Sequence, residues 1–413
     1  MYEFFLMTKY VILQSVGFFI LITAFIALTV IVLYTISKKL KLAKKITIPT
    51  AILVVGVFLL FFSAQIFPSH LKYPFLLKTF GPSDGPEVPL KNILTFFKNI
   101  KNFERVDIAK NPADIPPPTG RNYPKEVNVE IEAKEVISEM ADGVVFNYWT
   151  YNGQVPGPFI RARAGDKVNL TLKNHSSSLH HHSIDLHAVN GPGGGAPVTM
   201  VEPGESKTFS FKALNPGLYV YHCAHPNVAT HMAHGMYGLI LIEPEGGLPE
   251  VNKEFYVMQG EFYSAGNLGK KGLQVFDAKK MIDGHPEYIV FNGKTQSLNG
   301  KMLVNVGDKV RLYVGNGGVN LISSFHVIGE IFDNVYPEAA IGSEPHHNVQ
   351  TTLVPAGGAS IVEFKVDVPG KYIIVDHALA RLDRGAWGVI TAEGLENKEI
   401  FDGVPDASGN GGH

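Results

Sequence analysis

A long stretch of this chain is written twice, and the repeat constrains its fold more than any other feature. "YNGQVPGPFIRARAGDKVNLTL" is echoed by "FNGKTQSLNGKMLVNVGDKVRLYV", which sets Asn152 and Gly153 against Asn292 and Gly293, and Gly165 and Asp166 against Gly307 and Asp308. Further on, "VEPGESKTFSFKALNPGLYVYHCAH" is echoed by "VPAGGASIVEFKVDVPGKYIIVDHAL". Both copies are short runs of alternating apolar and polar residues broken by Gly, Pro and Asn, the period-two signature of half-buried strands. Two tandem β-sandwiches of one topology account for this spacing better than one large α/β domain. Their boundaries fall at 124–246 and 250–395, followed by a tail at 396–413.

The residues before the repeat have a different character. Val11 to Ser37 and Ile46 to Ser69 contain no charged residue, and a hydrocarbon core of about 30 Å is crossed by roughly 20 apolar helical residues. Two transmembrane α-helices, at about 11–37 and 46–67, are therefore expected within an anchor at 1–70. Between them stand Lys38, Lys39, Lys41, Lys44 and Lys45, and the positive-inside bias sends everything after His70 to the periplasmic or extracytoplasmic side of a cell membrane, as a multi-pass protein. A cleaved signal peptide is the competing reading of the first run. Residues 71–123 read as a connector, with a surface helix conceivable in "KNILTFFKNIKNFERVDI" and a proline-rich stretch that excludes regular structure.

Composition narrows the function. With 36 basic and 38 acidic residues the net charge is −2, which gives no electrostatic reason to expect nucleic acid as a partner. Cys223 is the only cysteine, so the chain has no intrachain disulfide and cannot attach a c-type haem through a Cys-x-x-Cys-His motif.

That thiol lies in "GLYVYHCAHPNVATHMAHGMYGLILIEP". Neighbouring side chains in an extended segment point to opposite faces, so Cys223 and His222 can serve two different metals. Cys223 with His231 and Met236, closed by an imidazole from an earlier segment, is the donor set of a blue copper electron-transfer site. His182 in "HHHSIDLH" supplies that imidazole, and its odd spacing from His187 places His187 with His222 on the other face. A catalytic copper wants three imidazoles and an open position. The third can be His377, in the second repeat where the first has His222 and Cys223. If His377 cannot fold back to the first repeat, a neighbouring subunit provides it and the protein is a closed cyclic oligomer. His180, His181, His225 and His234 lie beside these donors without the spacing of ligands. "GPGGGAP" at 191–197 lacks the strand-to-helix context of a phosphate cradle and reads as a flexible loop.

From Pro124 to Glu393 the chain resembles the copper-containing nitrite reductases, most closely the group with the shorter ligand loop. The segments that carry the resemblance are "HSIDLHAVNGPGGG", "YVYHCAHPNVATHMAHGMYGLILIEPEGGLP", "SSFHVIGEIFDNVY" and "VDHALARLDRGAWGVI". The resemblance implies two tandem cupredoxin-like Greek-key sandwiches in a homotrimer, with two coppers per subunit. It assigns type 1 copper to His182, Cys223, His231 and Met236, and type 2 copper to His187 and His222 with His377 of the adjacent subunit. It also makes Asp185 and His326 the catalytic acid pair, with Ile328 shaping the nitrite pocket. The implied reaction takes nitrite, one electron and two protons to nitric oxide and water. A c-type cytochrome or a small cupredoxin at the membrane surface would be the electron donor. The departure from the family is the apolar front of the chain. A laccase-like multicopper oxidase would need several His-x-His pairs, and a membrane-tethered electron carrier would leave His187, His222 and His377 without a purpose.

Overall fold

Alternation in the sequence becomes strands wherever both faces have something to do. In Lys167–Asn174, Val168, Leu170 and Leu172 are buried while the residues between them face outward, and Leu170 sits opposite Phe209 of Ser206–Lys212. The structure, a computed structural model, describes residues 106–274 and 276–403 together with positions 34, 35, 38, 70–72 and 87–89.

The two repeats fold with one strand order. In the first, a sheet runs Val144–Tyr151, Glu126–Ala141, Lys167–Asn174, Ser206–Lys212, and faces a second sheet that runs Ile160–Arg163, Tyr237–Glu243, Gly217–His222, Asp185–Leu186. The second repeat gives Tyr288–Phe291, Lys253–Phe262, Lys309–Asn316, Ala359–Lys365 in one sheet, and Met302–Asn305, Trp387–Glu393, Gly370–Asp376, Ser323–Ile328 in the other. The expected all-β, cupredoxin-like architecture is what the described residues adopt. Gly272–Gln274, although it belongs to the second repeat in sequence, adds a parallel strand beside Val144–Phe146 of the first.

Each sandwich has its own apolar core, and a third cluster joins them, packing Val220, Leu239 and Leu241 of the first against Tyr256, Met258, Tyr313 and Ile361 of the second. Part of the connector runs along this seam. Ile108 is fully buried in the shared cluster; Val155 N donates to Ile108 O at 2.9 Å, and Lys110 N donates to Val155 O at 3.1 Å. The proline stretch has no regular structure but is held, since Arg161 donates to Pro116 O at 2.6 Å.

The expected front of the chain requires correction. Among the described residues no helix is long and apolar enough to cross a membrane. The runs 11–37 and 46–67 lie outside the described residues apart from Tyr34 and Thr35, which are helical, as is Lys38 in the turn between them. The expected two transmembrane helices, and with them the membrane anchor, the membrane as a partner and the multi-pass localisation, therefore find no spanning helix among the described residues to rest on. An uncharged run establishes only a preference for apolar surroundings; spanning further requires one continuous helix that satisfies every backbone group. The surface helix considered within 91–108 also lies outside the described residues except for its last three positions.

A buried ion network fastens the two sandwiches. Arg161, from the first, donates to Glu243 at 2.7 Å and to both oxygens of Glu254, from the second, at 2.8 and 3.0 Å. Arg311 reaches the same Glu254 at 3.1 Å and Glu363 at 2.6 Å. Burial works against charge on Glu254, but the guanidiniums and the Tyr313 hydroxyl outweigh it and hold its carboxyl below the usual range. That contribution is in place at neutral pH and fades as acid protonates the carboxyl. Arg161→Met leaves Glu243 and Glu254 short of a countercharge inside the protein, and should destabilise it by about 3–5 kcal/mol. Urea titration at neutral pH checks this, and the deficit should shrink on acidification as the carboxylates neutralise; an unchanged midpoint would refute the latch.

Candidate metal centres

The strand Gly217–His222 pairs with Tyr237–Glu243 so that His222 faces Tyr237, and just past the strand end Cys223 N donates to Met236 O at 3.1 Å. Around that corner the described residues hold two groups of three converging donors: His182, Cys223 and His231 in one, and Asp185, His187 and His222 in the other. Side chains of adjacent residues thus enter different groups.

The first group is sealed in the core, with all three side chains fully buried. His182 Nδ1 lies 3.3 Å from His231 Nδ1, and Cys223 Sγ lies 3.4 Å from His231 Nδ1 and 3.9 Å from His182 Nδ1. Donors arranged trigonally about 2 Å from one ion stand roughly 3.5 Å apart, so this triangle fits a single metal. Burial, with the neighbouring imidazoles, keeps His231 well below its ordinary pKa, and burial lowers His182 as well. Loss of charge on these rings leaves each one nitrogen free to bind a metal, and their Nδ1 atoms converge on the thiol. Burial pushes the Cys223 thiol up to about 11, against the Ser183 N–H that points at Sγ from 3.4 Å. A cation that displaces the thiol proton satisfies all three atoms at once. His231 is carried by the short helix Val228–Ala233, whose cap Asn227 accepts Thr230 N at 3.2 Å. Met236 is fully buried in the same core cluster as Cys223.

The second group is partly open. His187 Nε2 and His222 Nε2 are 3.1 Å apart, and Asp185 Oδ2 is 4.0 Å from His222 Nε2. His222 Nδ1–H donates to Cys223 O at 3.0 Å, which leaves Nε2 as a lone pair. Burial and the nearby His222 ring lower the pKa of His187. Two imidazole lone pairs beside a carboxylate form an incomplete coordination sphere that suits a hard or borderline cation with exchangeable positions.

His326, Ile328 and His377 are elsewhere on the chain. Their strands, Ser323–Ile328 and Gly370–Asp376, are antiparallel neighbours with Phe325 opposite Asp376. The rings of His326 and His377 stand 5.4 Å apart, and His377 is exposed. His326 Nδ1–H donates to Gln350 O at 2.6 Å, leaving Nε2 outward. Neither three-donor group among the described residues contains His377 or His326. The structure therefore gathers Asp185, His187 and His222 in one group and sets His326 beside His377 in another place.

Strand parity explains the split at His222 and Cys223, but not at His182 and His187. Only Asp185–Leu186 is a strand there; His182 is held by a lone bridge to Val201 and His187 by its N–H to Val220 O. The glycine run also differs from a flexible loop. Pro192–Val198 winds with positive φ at Gly193, Gly194 and Gly195, and a methyl at Gly194 would overlap Asp185 Oδ1, so this turn forms a wall beside that carboxylate. A third residue the spacing did not reveal is Asp376. Its Oδ1 accepts Ser324 N and Ala378 N, both at 3.1 Å, and its Oδ2 accepts Gln259 Nε2 at 3.0 Å and Arg381 Nη1 at 2.5 Å, bracing the segments that carry His326 and His377.

Known proteins share both the sequence and the shape. A family model described as multicopper oxidase matches residues 132–247. The chain is 52% identical over 297 residues to the copper-containing nitrite reductase of Neisseria gonorrhoeae, covering 71% of this chain and 75% of that one. The solved copper nitrite reductase from Nitrosomonas europaea superposes with a TM-score of 0.59 at 31% identity, covering 66% of this chain and 96% of that one. A blue copper oxidase from the same organism superposes with a TM-score of 0.54 at 26% identity, over 68% of this chain and 92% of that one. Cys223→Ser removes the soft donor from one group and leaves the other intact. Copper per chain should fall from two to one, with loss of the thiolate-to-copper absorption; loss of both ions, or of neither, would show that the groups are not independent sites.

Proposed function

The chain belongs to the copper-containing nitrite reductases, and we propose that one copy holds the electron store and half of the nitrite seat while a second copy closes that seat. The reaction is the one-electron reduction of nitrite: nitrite, one electron and two protons give nitric oxide and water. Bound copper supplies a one-electron store at the thiolate group and, at the imidazole group, an electrophile that accepts that electron and seats an oxygen of nitrite. The observation that carries this reading is the His222–Cys223 dipeptide, whose two side chains enter the two donor groups. A covalent link of one peptide unit is the shortest path the chain can offer an electron.

His182, Cys223 and His231 hold the store. Met236 would add a weak thioether donor, a role supported by its complete burial in the same cluster as the thiol. His187 and His222 provide two donors of the seat, and His377 of a second copy provides the third. Two features support this crossing: His377 is exposed at a strand end, and in its own chain it stands with His326 rather than with His187. Because those two strands are hydrogen-bonded neighbours, His326 crosses with it. A closed ring, for which the family resemblance gives three copies, sets each half-site against its complement at every interface.

The two protons come from opposite sides of the seat. Asp185, walled by Gly194, faces the open side of the imidazole pair and protonates the departing oxygen of nitrite. His326, with Nδ1 committed to Gln350 O, presents Nε2 as the second donor, and imidazole is the side chain whose ordinary titration spans neutral pH. Ile328 lies two residues along the same strand, on the same face as His326, and narrows the pocket with an apolar wall. A trinuclear oxidase would need further histidine pairs, and the second repeat offers Asp376–His377 where the first has His222–Cys223. A simple carrier would leave the Asp185–His187–His222 group idle.

His187→Ala should abolish nitric oxide formation from nitrite with a reduced donor while keeping the thiolate-to-copper absorption. Turnover near that of the unaltered protein would overturn the placement of the seat. The crossing has its own test. His187→Ala and His377→Ala chains, each inactive alone, are unfolded and reassembled together. One interface in four then pairs two intact halves, restoring about a quarter of the unaltered rate; no recovery would mean that His377 acts within its own chain.

A further inference from the structure

A carboxylate occupies a core position behind the electron store. Along Glu126–Ala141 the inward residues Ile131 and Ala133 are apolar, and the next inward residue is Glu135, which is 1% exposed. Its Oε1 accepts Leu179 N and His180 N, both at 2.8 Å, and His180 Nδ1–H at 2.9 Å. The same oxygen lies 3.6 Å from His182 Nε2. That is longer than a hydrogen bond but well within reach of a charge acting on a ring. His182 turns Nδ1 towards Cys223 and His231, so that with Nδ1 on the metal Nε2 would bear the proton, and this atom has no hydrogen-bond partner in the core. Glu135 Oε2 is likewise buried without one. Among the described residues the ion-pair partners of Glu135 are His180 and His182, with no Lys or Arg. The cost of keeping an anion here is several kcal/mol unless something positive stands close.

We propose that Glu135 is a positioning residue of the electron store, which staples residues 179–182 so that His182 is aimed at the metal and whose fixed charge lowers the reduction potential of the bound copper. The proposal rests on the assignment of His182, Cys223 and His231 to that copper. Imidazole ligands are commonly oriented and made more basic by a carboxylate on the far ring nitrogen. Oxidised copper carries one more positive charge than reduced copper, so a nearby anion favours the oxidised form and eases departure of the electron towards His222. His180, packed against Trp149 at 4.0 Å between tilted rings, holds the other side of the carboxylate in place.

The test is spectroelectrochemical titration of the copper-loaded full chain. Glu135→Gln keeps the shape and removes the charge. Its thiolate-to-copper band should persist while the one-electron equilibrium with a fixed mediator shifts at least tenfold towards the reduced form, about 59 mV. Glu135→Asp, which restores the charge, should recover most of the shift. An unchanged potential in Glu135→Gln would overturn the proposal. If copper binds this variant and the unaltered chain alike with no thiolate band in either, the type 1 assignment itself fails. Should the variant not fold, nitrogen-15 NMR of the unaltered chain loaded with copper(I) decides. A deshielded, slowly exchanging proton on His182 Nε2 supports the proposal, and a bare Nε2 refutes it.

Discussion

Backbone pairing between Gly217–His222 and Tyr237–Glu243 sets the corner at which the two donor groups of the first sandwich meet. It places His222 opposite Tyr237 and carries on past the strand end, where Cys223 N bonds to Met236 O. One strand end and its paired neighbour therefore fix a thiol in the core, an imidazole in the second donor group and a methionine buried in the same core cluster as the thiol. The shared apolar cluster makes this corner rigid, because Val220 and Leu239 of the same two strands pack against Tyr256 and Met258 of the second sandwich. Electron transfer benefits from such rigidity, since a site that does not rearrange between oxidation states adds little to the barrier.

Much of this was legible in the sequence, and the exceptions have physical causes. The repeat predicted two sandwiches of one strand order because period-two burial marks strands such as Lys167–Asn174 and Ser323–Ile328. Parity worked for His222 and Cys223 because the strand Gly217–His222 is regular up to their junction. For His182 and His187 the donors still segregate as expected, although the extended strand invoked to explain it shrinks to Asp185–Leu186. The glycine run carried no period to read, so its role as a wall for Asp185 emerged only from where the turn packs. Glu135 is the harder case. Nothing in the sequence links it to His182, because the approach is made across the sandwich, between a strand of one sheet and a segment entering the other. The apolar front of the chain shows the opposite limit, where hydropathy suggested a span and no spanning helix is found among the described residues.

The two sandwiches brace their key histidines by the same device with different electrical results. In the second, Asp376 gathers the backbone of Ser324 and Ala378, and thereby the strand ends that bear His326 and His377, while Arg381 sits on its other oxygen. The guanidinium cancels the charge, so Asp376 orients without projecting a field towards its histidine. In the first, Glu135 gathers the backbone of Leu179 and His180 in the same manner, but no guanidinium or ammonium joins it among the described residues. Its charge is left to act on the imidazoles and on whatever they hold. A carboxylate compensated beside His326 and His377, and one left uncompensated beside His182, thus give two buried anions the same bracing geometry and a different electrical reach.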